Sequence, residues 1–176
     1  MTGAKTPLDL SPGLLKVAER ARRDPTQRIL ALAHLIDEDA LTRAFGRLRR
    51  DAAAGVDGVT VDAYGQRLVE NVRELRVRRK AMKYRHQPNG RVHIPKGDGS
   101  KTRPIGIPTF EDKVLQRAVA MLLEAVYEQD FMPCSYGFRP GRSAHEALRA
   151  LNRTVMSWSA NYVLEADIVS FFDSID

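Results

Sequence analysis

Apolar positions recur at helical spacing along much of the chain, and the stretches begin at residues that favour helix starts. Ser11 and Asp24 each precede a proline. A capping side chain followed by proline at the first helical position is typical of a helix N-terminus. The pattern predicts short helices over about 12–23 and 25–35.

A third helix is predicted after Asp37, and the alanines at 52–54 could extend it. Glycines on both sides of Asp57 then indicate a turn with unusual backbone angles over residues 55–58. A long helix over about 62–82 follows. The apolar positions of the third helix share one face: Leu41, Ala44, Phe45 and Leu48. Those expected on the buried side of the long helix are Leu68, Val72, Leu75 and Val77.

The period changes near residue 90, where a β-hairpin is predicted. Residues 91–94 alternate polar and apolar side chains, residues 96–101 form a basic glycine-rich turn, and residues 102–107 return as a second strand. Pro104 has no N–H group and therefore favours an edge position. The sequence predicts a hairpin with a positively charged tip.

Two more helices and a strand complete the pattern. Thr109 caps the clearest helix with Asp112 at the capping-box offset, and Ser143 can cap a helix through about Met156. Residues 162–168 are expected to form a mostly buried strand that ends in an acidic residue. The predicted fold class is α+β, mostly helical with a β-hairpin. The core positions of the Thr109 helix follow helical spacing: Phe110, Val114, Leu115, Ala118, Val119, Leu122, Leu123 and Val126.

Composition fits a globular protein that carries no membrane anchor. Of the 176 residues, 43% are hydrophobic, and no apolar run approaches the roughly 20 residues that span a bilayer. Residues 1–12 lack the apolar centre of a signal peptide, so a cytoplasmic location is expected. The single Cys134 cannot form an internal disulfide, and we expect a packed small residue there in preference to a nucleophile.

Positive charge is concentrated in one segment. The net charge is +6, yet residues 67–103 alone hold 12 Lys/Arg and 3 Asp/Glu. Such a patch attracts polyanions, because neutralised phosphates release counterions. The simpler alternative is a solvated face that keeps the protein soluble.

The hairpin tip has the residue types of a phosphate site. Lys96 and Arg103 flank Gly97-Asp98-Gly99. Glycines let a backbone approach an anion closely, lysine supplies a point charge and arginine supplies a planar fork. These residues suit a triphosphate clamp, and the alternative is an ordinary turn.

Two further segments could carry chemistry. Asp167 ends a hydrophobic stretch, where a carboxylate is costly unless it is solvated, paired or bound to a cation. It could help to hold magnesium, or it could be a helix cap or a solvated strand end. In residues 134–143, aromatic side chains alternate with arginines and glycines, which suits nucleic-acid contact or a structured loop.

Taken together, these segments resemble the reverse transcriptases that bacterial group II introns encode, over about residues 35–176. Their order and spacing carry the resemblance, and the third loop is the most distinctive part. The matching segments are Gly55-Val56-Asp57-Gly58, Ile94-Pro95-Lys96, Arg103-Pro104-Ile105-Gly106-Ile107-Pro108, Ser135-Tyr136-Gly137-Phe138-Arg139-Pro140-Gly141-Arg142-Ser143, and Ala166-Asp167-Ile168 with Phe171-Phe172-Asp173.

The resemblance implies a right-hand polymerase. Residues 1–54 would be an N-terminal helical extension, residues 55–160 the fingers, and residues 161–176 the first strand of the palm with the first catalytic motif. The family's second metal-binding motif, Tyr-Ala-Asp-Asp, is absent. We therefore expect these 176 residues alone to be unable to polymerise DNA.

The resemblance also assigns roles to residues. Lys96 and Arg103 would bind the triphosphate of the incoming nucleotide, and Phe172 would exclude a 2′-hydroxyl. Asp167 would be catalytic and would hold two Mg²⁺ ions with the carbonyl of Ile168. The residues expected to bind nucleic acid are Lys80, Lys83, Arg85, Arg139 and Arg142.

The expected partners are template or intron RNA, a DNA primer and a deoxynucleoside triphosphate. An RNA-binding maturase-like module or relic without polymerase activity is the main alternative. A retron-type polymerase fits the Asp167 motif but fits the loop at 135–143 poorly. The sequence leaves a monomer and a homodimer open.

Overall fold

The computed structural model describes residues 10–24, 26–95, 97, 99, 102–158, 162–171 and 174. Helices predominate in this part of the chain, and the only sheet there has two strands, so the predicted α+β class is confirmed. None of the described helices is both long enough and apolar enough to cross a membrane. The α-helices are α1 (Pro12–Arg23), α2 (Glu38–Gly46), α3 (Val61–Gln66), α4 (Leu68–Lys80), α5 (Phe110–Tyr127) and α6 (Ala144–Trp158), and the strands are β1 (Gly90–Pro95) and β2 (Thr102–Ile107).

The helix starts predicted at Ser11, Asp37 and Ser143 are confirmed by their caps. The Ser11 hydroxyl accepts a hydrogen bond from the N–H of Leu14 at 3.4 Å, and the Asp37 carboxylate accepts one from Ala40 at 2.8 Å. At α6 the capping is reciprocal. Ser143 Oγ accepts from the Glu146 N–H at 3.3 Å, and the Glu146 carboxylate accepts from the Ser143 N–H at 3.2 Å. Each cap satisfies a backbone donor that the first helical turn leaves open.

The helix predicted over 25–35 is wrong, since the described residues 26–35 form only a 3-10 helix at Leu32–Leu35. The Asp24 carboxylate accepts hydrogen bonds from both the N–H and the hydroxyl of Thr26, at 3.1 and 2.7 Å, which closes a local turn. Ala31 has a left-handed φ of 59°, which is incompatible with a continuous right-handed helix. The predicted extension of α2 into 52–54 is also wrong, because the helix ends at Gly46.

The single helix predicted over 62–82 is two helices that meet at Arg67. Arg67 has φ −122° and ψ 34°, outside the helical region. The side-chain amide of Asn71 donates to the carbonyl of Tyr64 at 3.0 Å, so this carbonyl is satisfied without a continuous helix. Val72 and Leu75 are buried as predicted, whereas Val77 is 58% exposed. The prediction that Val77 faces the core was wrong.

The core of the first part of the chain forms around α5. Phe110, Val114 and Met121 are fully buried, and Leu14 and Leu41 from α1 and α2 are buried with them. The ring of Phe110 lies 5.2 Å from that of Tyr64 and 6.0 Å from that of Phe45, measured between centroids. Aromatic pairs at such distances add to the stabilisation from area burial alone.

One side of α5 is less buried than its periodicity predicts. Val119 and Leu123 are 37% and 44% exposed. The helices that pack on α5 cover the side that carries Val114, Ala118 and Leu122. A continuous helical stripe therefore overestimates the width of the buried face.

The β-hairpin forms as predicted. Its strands are antiparallel, with Gly90 opposite Ile107 and Pro95 opposite Thr102. Pro104 lies opposite His93, and both strands are edges of the described two-stranded sheet, so the missing N–H of Pro104 is tolerated.

The chain divides into two compact units, Met1–Phe131 and Met132–Asp176. In the second, the strand predicted over 162–168 does not form, and Tyr162, Leu164 and Ile168 are exposed. A strand needs a neighbour that satisfies its backbone donors and acceptors. The described part of this unit contains no such strand.

Candidate nucleotide and nucleic-acid sites

The root of the hairpin is fixed to the start of α5 by Asp112. The Tyr84 hydroxyl donates to one oxygen of this buried carboxylate, and the Thr109 hydroxyl donates to the other at 2.6 Å. The N–H of Gln87 donates to the same oxygen as Thr109, at 3.3 Å. Burial by itself would raise the pKa of Asp112, but the hydrogen bonds from Thr109, Tyr84 and Gln87 lower it overall. The segment that leads into β1 is thereby held against α5.

An ion pair reinforces this attachment. Arg78 of α4 donates to the carboxylate of Glu111, and its guanidinium lies 5.9 Å from the centroid of the Tyr84 ring. The hydrogen bond to Glu111 raises the pKa of Arg78. Burial raises the pKa of Tyr84, and so does the bond to Asp112, so the phenol remains a neutral donor. The hairpin root thus has contacts with both α4 and α5.

The turn at residues 55–58 also packs against the start of α5. Gly58 has φ 67°, and its N–H donates to the carbonyl of Gly55 at 3.1 Å. A Cβ added to Gly55 would lie 2.6 Å from the Cα of Thr109. Real Cβ atoms do not approach backbone so closely, so glycine is required for this contact. The turn, the hairpin root and the start of α5 therefore meet at one point.

Arg103, predicted to bind the triphosphate, is exposed on β2 opposite Ile94. Gly99 in the turn has φ 69°, a conformation that favours glycine in an ordinary turn and in a phosphate clamp alike. Lys96 and Phe172 lie outside the described residues. The assignment of Lys96, Arg103 and Phe172 to the nucleotide stays a prediction.

Asp167, the predicted metal ligand, is exposed, and its carboxylate accepts a hydrogen bond from the N–H of Ile168 at 2.9 Å. A carboxylate and the Ile168 carbonyl are oxygen donors of the kind that Mg²⁺ prefers. No group of three His, Cys, Asp or Glu side chains that could hold a metal occurs within the described residues. These two donors fit Mg²⁺ chemically but make only part of a two-metal set.

The basic segment at 67–103 separates into two groups. Arg76 pairs with Glu38 at 3.1 Å, and Arg79 donates to the carbonyls of Ala33 and Ile36 at 2.9 and 2.8 Å. Through these contacts, the two arginines attach α4 to residues 33–38. Lys80, Lys83 and Arg85 are exposed, as expected of a nucleic-acid surface, and so are Arg67, Arg73, Arg91 and Arg103.

Arg139 has a different position from the one expected of a nucleic-acid contact. It is buried, and its guanidinium donates to the carbonyls of Met132 and Ser135 at 2.9 and 2.8 Å. Arg139 thus braces the loop from within. The structure favours the structured-loop alternative for this residue.

Other residues of the loop are more accessible. The Arg142 guanidinium lies 5.2 Å from the centroid of the Tyr136 ring, and Phe138, with a left-handed φ of 55°, is fully exposed. Cys134 is also exposed, so the expectation of a packed residue there was wrong. Arg142 remains a candidate nucleic-acid contact.

Sequence reasoning missed the contribution of Tyr84 and of two arginines on α6, Arg149 and Arg153. Tyr84 reaches Asp112 across 28 positions, and no local pattern indicates such a pairing. Arg149 and Arg153 were detectable in principle, because a spacing of four residues places both on one side of a helix.

The chain is similar in sequence to known proteins. The model of the reverse transcriptase (RNA-dependent DNA polymerase) family matches residues 94–176. Protein YkfC of Escherichia coli is 36% identical over 167 residues, which cover 91% of this chain and 44% of that protein. The group II intron-encoded protein LtrA of Lactococcus lactis is 36% identical over 143 residues, covering 81% of this chain and 24% of LtrA. Nuclear intron maturase 1 of Arabidopsis thaliana is 31% identical over 105 residues, covering 55% and 14%.

These similarities place the chain in the reverse transcriptase family. Within that class, the chain belongs to the reverse transcriptases and maturases of group II introns, as its sequence motifs predicted. It spans less than half the length of the curated relatives YkfC and LtrA.

Proposed function

We propose that this chain supplies the fingers and the first catalytic aspartate of an RNA-directed DNA polymerase that acts on intron or template RNA. The observation that carries the proposal is the family match over residues 94–176, a segment that includes Arg103 and Asp167. Both residues are exposed to solvent, as groups that meet a substrate must be.

In the reaction, the 3′-hydroxyl oxygen of a DNA primer attacks the α-phosphorus of a deoxynucleoside triphosphate. The hydroxyl loses its proton to solvent as the new O–P bond forms, the bond from the α-phosphorus to the bridging oxygen breaks, and pyrophosphate leaves with that electron pair. Lys96 and Arg103 would offset the charge of the triphosphate, and Phe172 would contact the sugar. Asp167 and the Ile168 carbonyl would hold Mg²⁺, which when bound stabilises the attacking and leaving oxygens.

The attachment of the hairpin root supports this role. A charged side chain contributes to catalysis only if it is held in place before the reaction. Arg103 lies on a strand whose root is fastened through Tyr84 and Asp112 to α5. Tyr84 and Asp112 are therefore positioning residues for the hairpin.

Primer extension on an RNA template in Mg²⁺, with the complete gene product, tests the proposal. Asp167→Asn is expected to lower the rate by more than about 100-fold, since even residues that only support a metal ligand are worth 10- to 100-fold. Asp130→Asn, at an exposed position outside both sites, is the matched control and should retain the wild-type rate. A variant at Asp167 with normal extension would remove the polymerase assignment.

The second candidate function is RNA binding without polymerisation, as in a maturase-like module or relic. The exposed cluster of Lys80, Lys83 and Arg85 favours it. In that case Asp167→Asn leaves the function intact, whereas replacing the three basic residues by glutamine abolishes RNA binding. Asp167→Asn therefore distinguishes the two candidates, because only the polymerase candidate predicts that this variant loses its function.

A further inference from the structure

A cleft in the second unit gathers three arginines around one aromatic ring. It has a volume of about 520 Å³ and lies between the loop that contains Tyr136 and the first turns of α6. Its lining residues are Tyr136, Arg142, Glu146, Arg149, Asn152 and Arg153. Neither the family match nor the sequence motifs assign a role to the α6 side of this cleft.

The charges in the cleft are unbalanced. Among the described residues, none of the guanidinium groups of Arg142, Arg149 and Arg153 forms an ion pair, although Glu146 lines the same space. The Glu146 carboxylate instead accepts from the Ser143 N–H at 3.2 Å, at the start of the helix. Three positive charges around one cleft repel each other, and together they create a positive electrostatic potential that attracts an anion.

The aromatic residue narrows the kind of anion. The Arg142 guanidinium lies 5.2 Å from the centroid of the Tyr136 ring, so a planar cation and a planar ring are held together at the edge of the cleft. Such a pair can stack against a nucleobase, while arginine forks nearby bind the phosphate of the same nucleotide. An inorganic anion has no planar group that could stack on the Tyr136 ring.

We infer that this cleft binds one nucleotide of a single-stranded nucleic acid, with its base against Tyr136 and Arg142 and its phosphate on Arg149 and Arg153. The inference rests on the proposed function, which requires a bound template, and adds a place at which the strand is held. Asn152 supplies an amide that can donate to and accept from a base edge.

Fluorescence anisotropy with labelled 12-nucleotide RNA and DNA of the same sequence, over a series of salt concentrations, tests the inference. Arg149→Gln/Arg153→Gln is expected to raise the Kd at least about 10-fold and to reduce the salt slope by about 0.7, because both arginines neutralise the same phosphate. Arg149→Lys/Arg153→Lys keeps both charges and should keep the slope. Tyr136→Leu should raise the Kd about 5-fold or more without changing the slope.

The matched control is Arg22→Gln/Arg23→Gln, which removes two exposed arginines from the end of α1. It should change the Kd by less than about 3-fold, and circular dichroism should show all variants folded. If Arg149→Gln/Arg153→Gln binds like wild type, the cleft inference is overturned. If binding is lost in Lys80→Gln/Lys83→Gln/Arg85→Gln and in none of the cleft variants, the cleft inference is again overturned. The proposed function is not contradicted by that result. Wild-type protein that binds neither oligonucleotide would contradict both.

A comparison of the RNA and DNA arms identifies the strand. Tighter binding of RNA supports a template or intron strand in the cleft, and its loss in Tyr136→Leu supports the stacked base. Equal loss for both nucleic acids supports a site that reads only base and phosphate.

Discussion

The two units of the chain differ in the burial of their apolar residues. In Met1–Phe131, helices that are distant in sequence bury Leu14, Leu41 and Phe110 around α5. In Met132–Asp176, Leu148 and Leu164 are 63% and 92% exposed, although α6 is capped at its start. Local signals are enough to start a helix, but a core needs partners from elsewhere in the chain.

The two units also differ in how some of their charged side chains are engaged. In the first unit, Arg78 and Asp112 are engaged by other side chains and hold the hairpin. In the second, Arg149 and Asp167 are exposed, and the hydrogen bonds that they form are to backbone close in sequence. The first unit thus holds anchoring side chains beside exposed candidate binding groups such as Lys80 and Arg103, whereas Arg149 and Asp167 of the second unit face solvent.

The largest expected difference between the units is in the response to lost apolar volume. Phe110→Ala removes a fully buried ring and should lower the free energy of unfolding by about 3–5 kcal/mol. Leu148→Ala, on exposed α6, should change it by less than about 0.5 kcal/mol. Urea titration measures both. Equal losses would mean that the leucine is packed in solution.

A smaller effect is expected where backbone meets backbone. Gly55→Ala places a Cβ 2.6 Å from the Cα of Thr109 and should destabilise the first unit by about 1–3 kcal/mol. Gly46→Ala is the matched control, since an added Cβ there meets nothing within 4 Å. It should be neutral or stabilising by up to about 1 kcal/mol. Thermal unfolding distinguishes the two, and a neutral Gly55→Ala would contradict the tight contact.

Acid should weaken the hairpin anchor. The pKa of Asp112 is lower in the folded protein than in the unfolded chain, so the carboxylate stabilises the fold above the unfolded value. That contribution is lost as the pH falls below about 4, through the folded pKa. Asp112→Asn should be less stable than wild type at pH 7, and the difference should shrink towards pH 3. If the difference in the free energy of unfolding between wild type and Asp112→Asn does not change with pH, Asp112 stabilises the fold through packing and not through its charge.

The smallest effect is expected at the exposed thiol of the second unit. Cys134→Ser should change the free energy of unfolding by less than about 0.5 kcal/mol. A thiol-specific reagent such as Ellman's should label the native protein at one site per chain without denaturant. A thiol that reacts only after unfolding would restore the expectation of a packed cysteine.

Much of the fold follows from local signals in the sequence. The spacing of apolar residues and the caps at Ser11, Asp37, Thr109 and Ser143 predict where four helices begin. Turn chemistry predicts the hairpin. These signals act over a few residues, so they can be detected without knowledge of the rest of the chain. Where a local competitor was overlooked, as with Asp24 and Thr26, the helix prediction failed.

The candidate sites were less completely predictable. Motif order identified the family and indicated Arg103 and Asp167, but burial decided that Arg139 braces a loop. The predicted strand at 162–168 shows the same limit, because pairing depends on a neighbour that the segment itself cannot specify.

The sequence by itself determined the family, the α+β class, the helix starts and the hairpin, because each depends on residue order or short-range chemistry. Only the tertiary structure decided that Tyr84 pairs with Asp112, that Arg67 interrupts a helix, and which face of α5 is buried. The pairing of Tyr84 and the buried face of α5 depend on contacts between residues far apart along the chain. Such contacts form only when the folded backbone brings the residues together, so the spacing of residues along the sequence does not predict them.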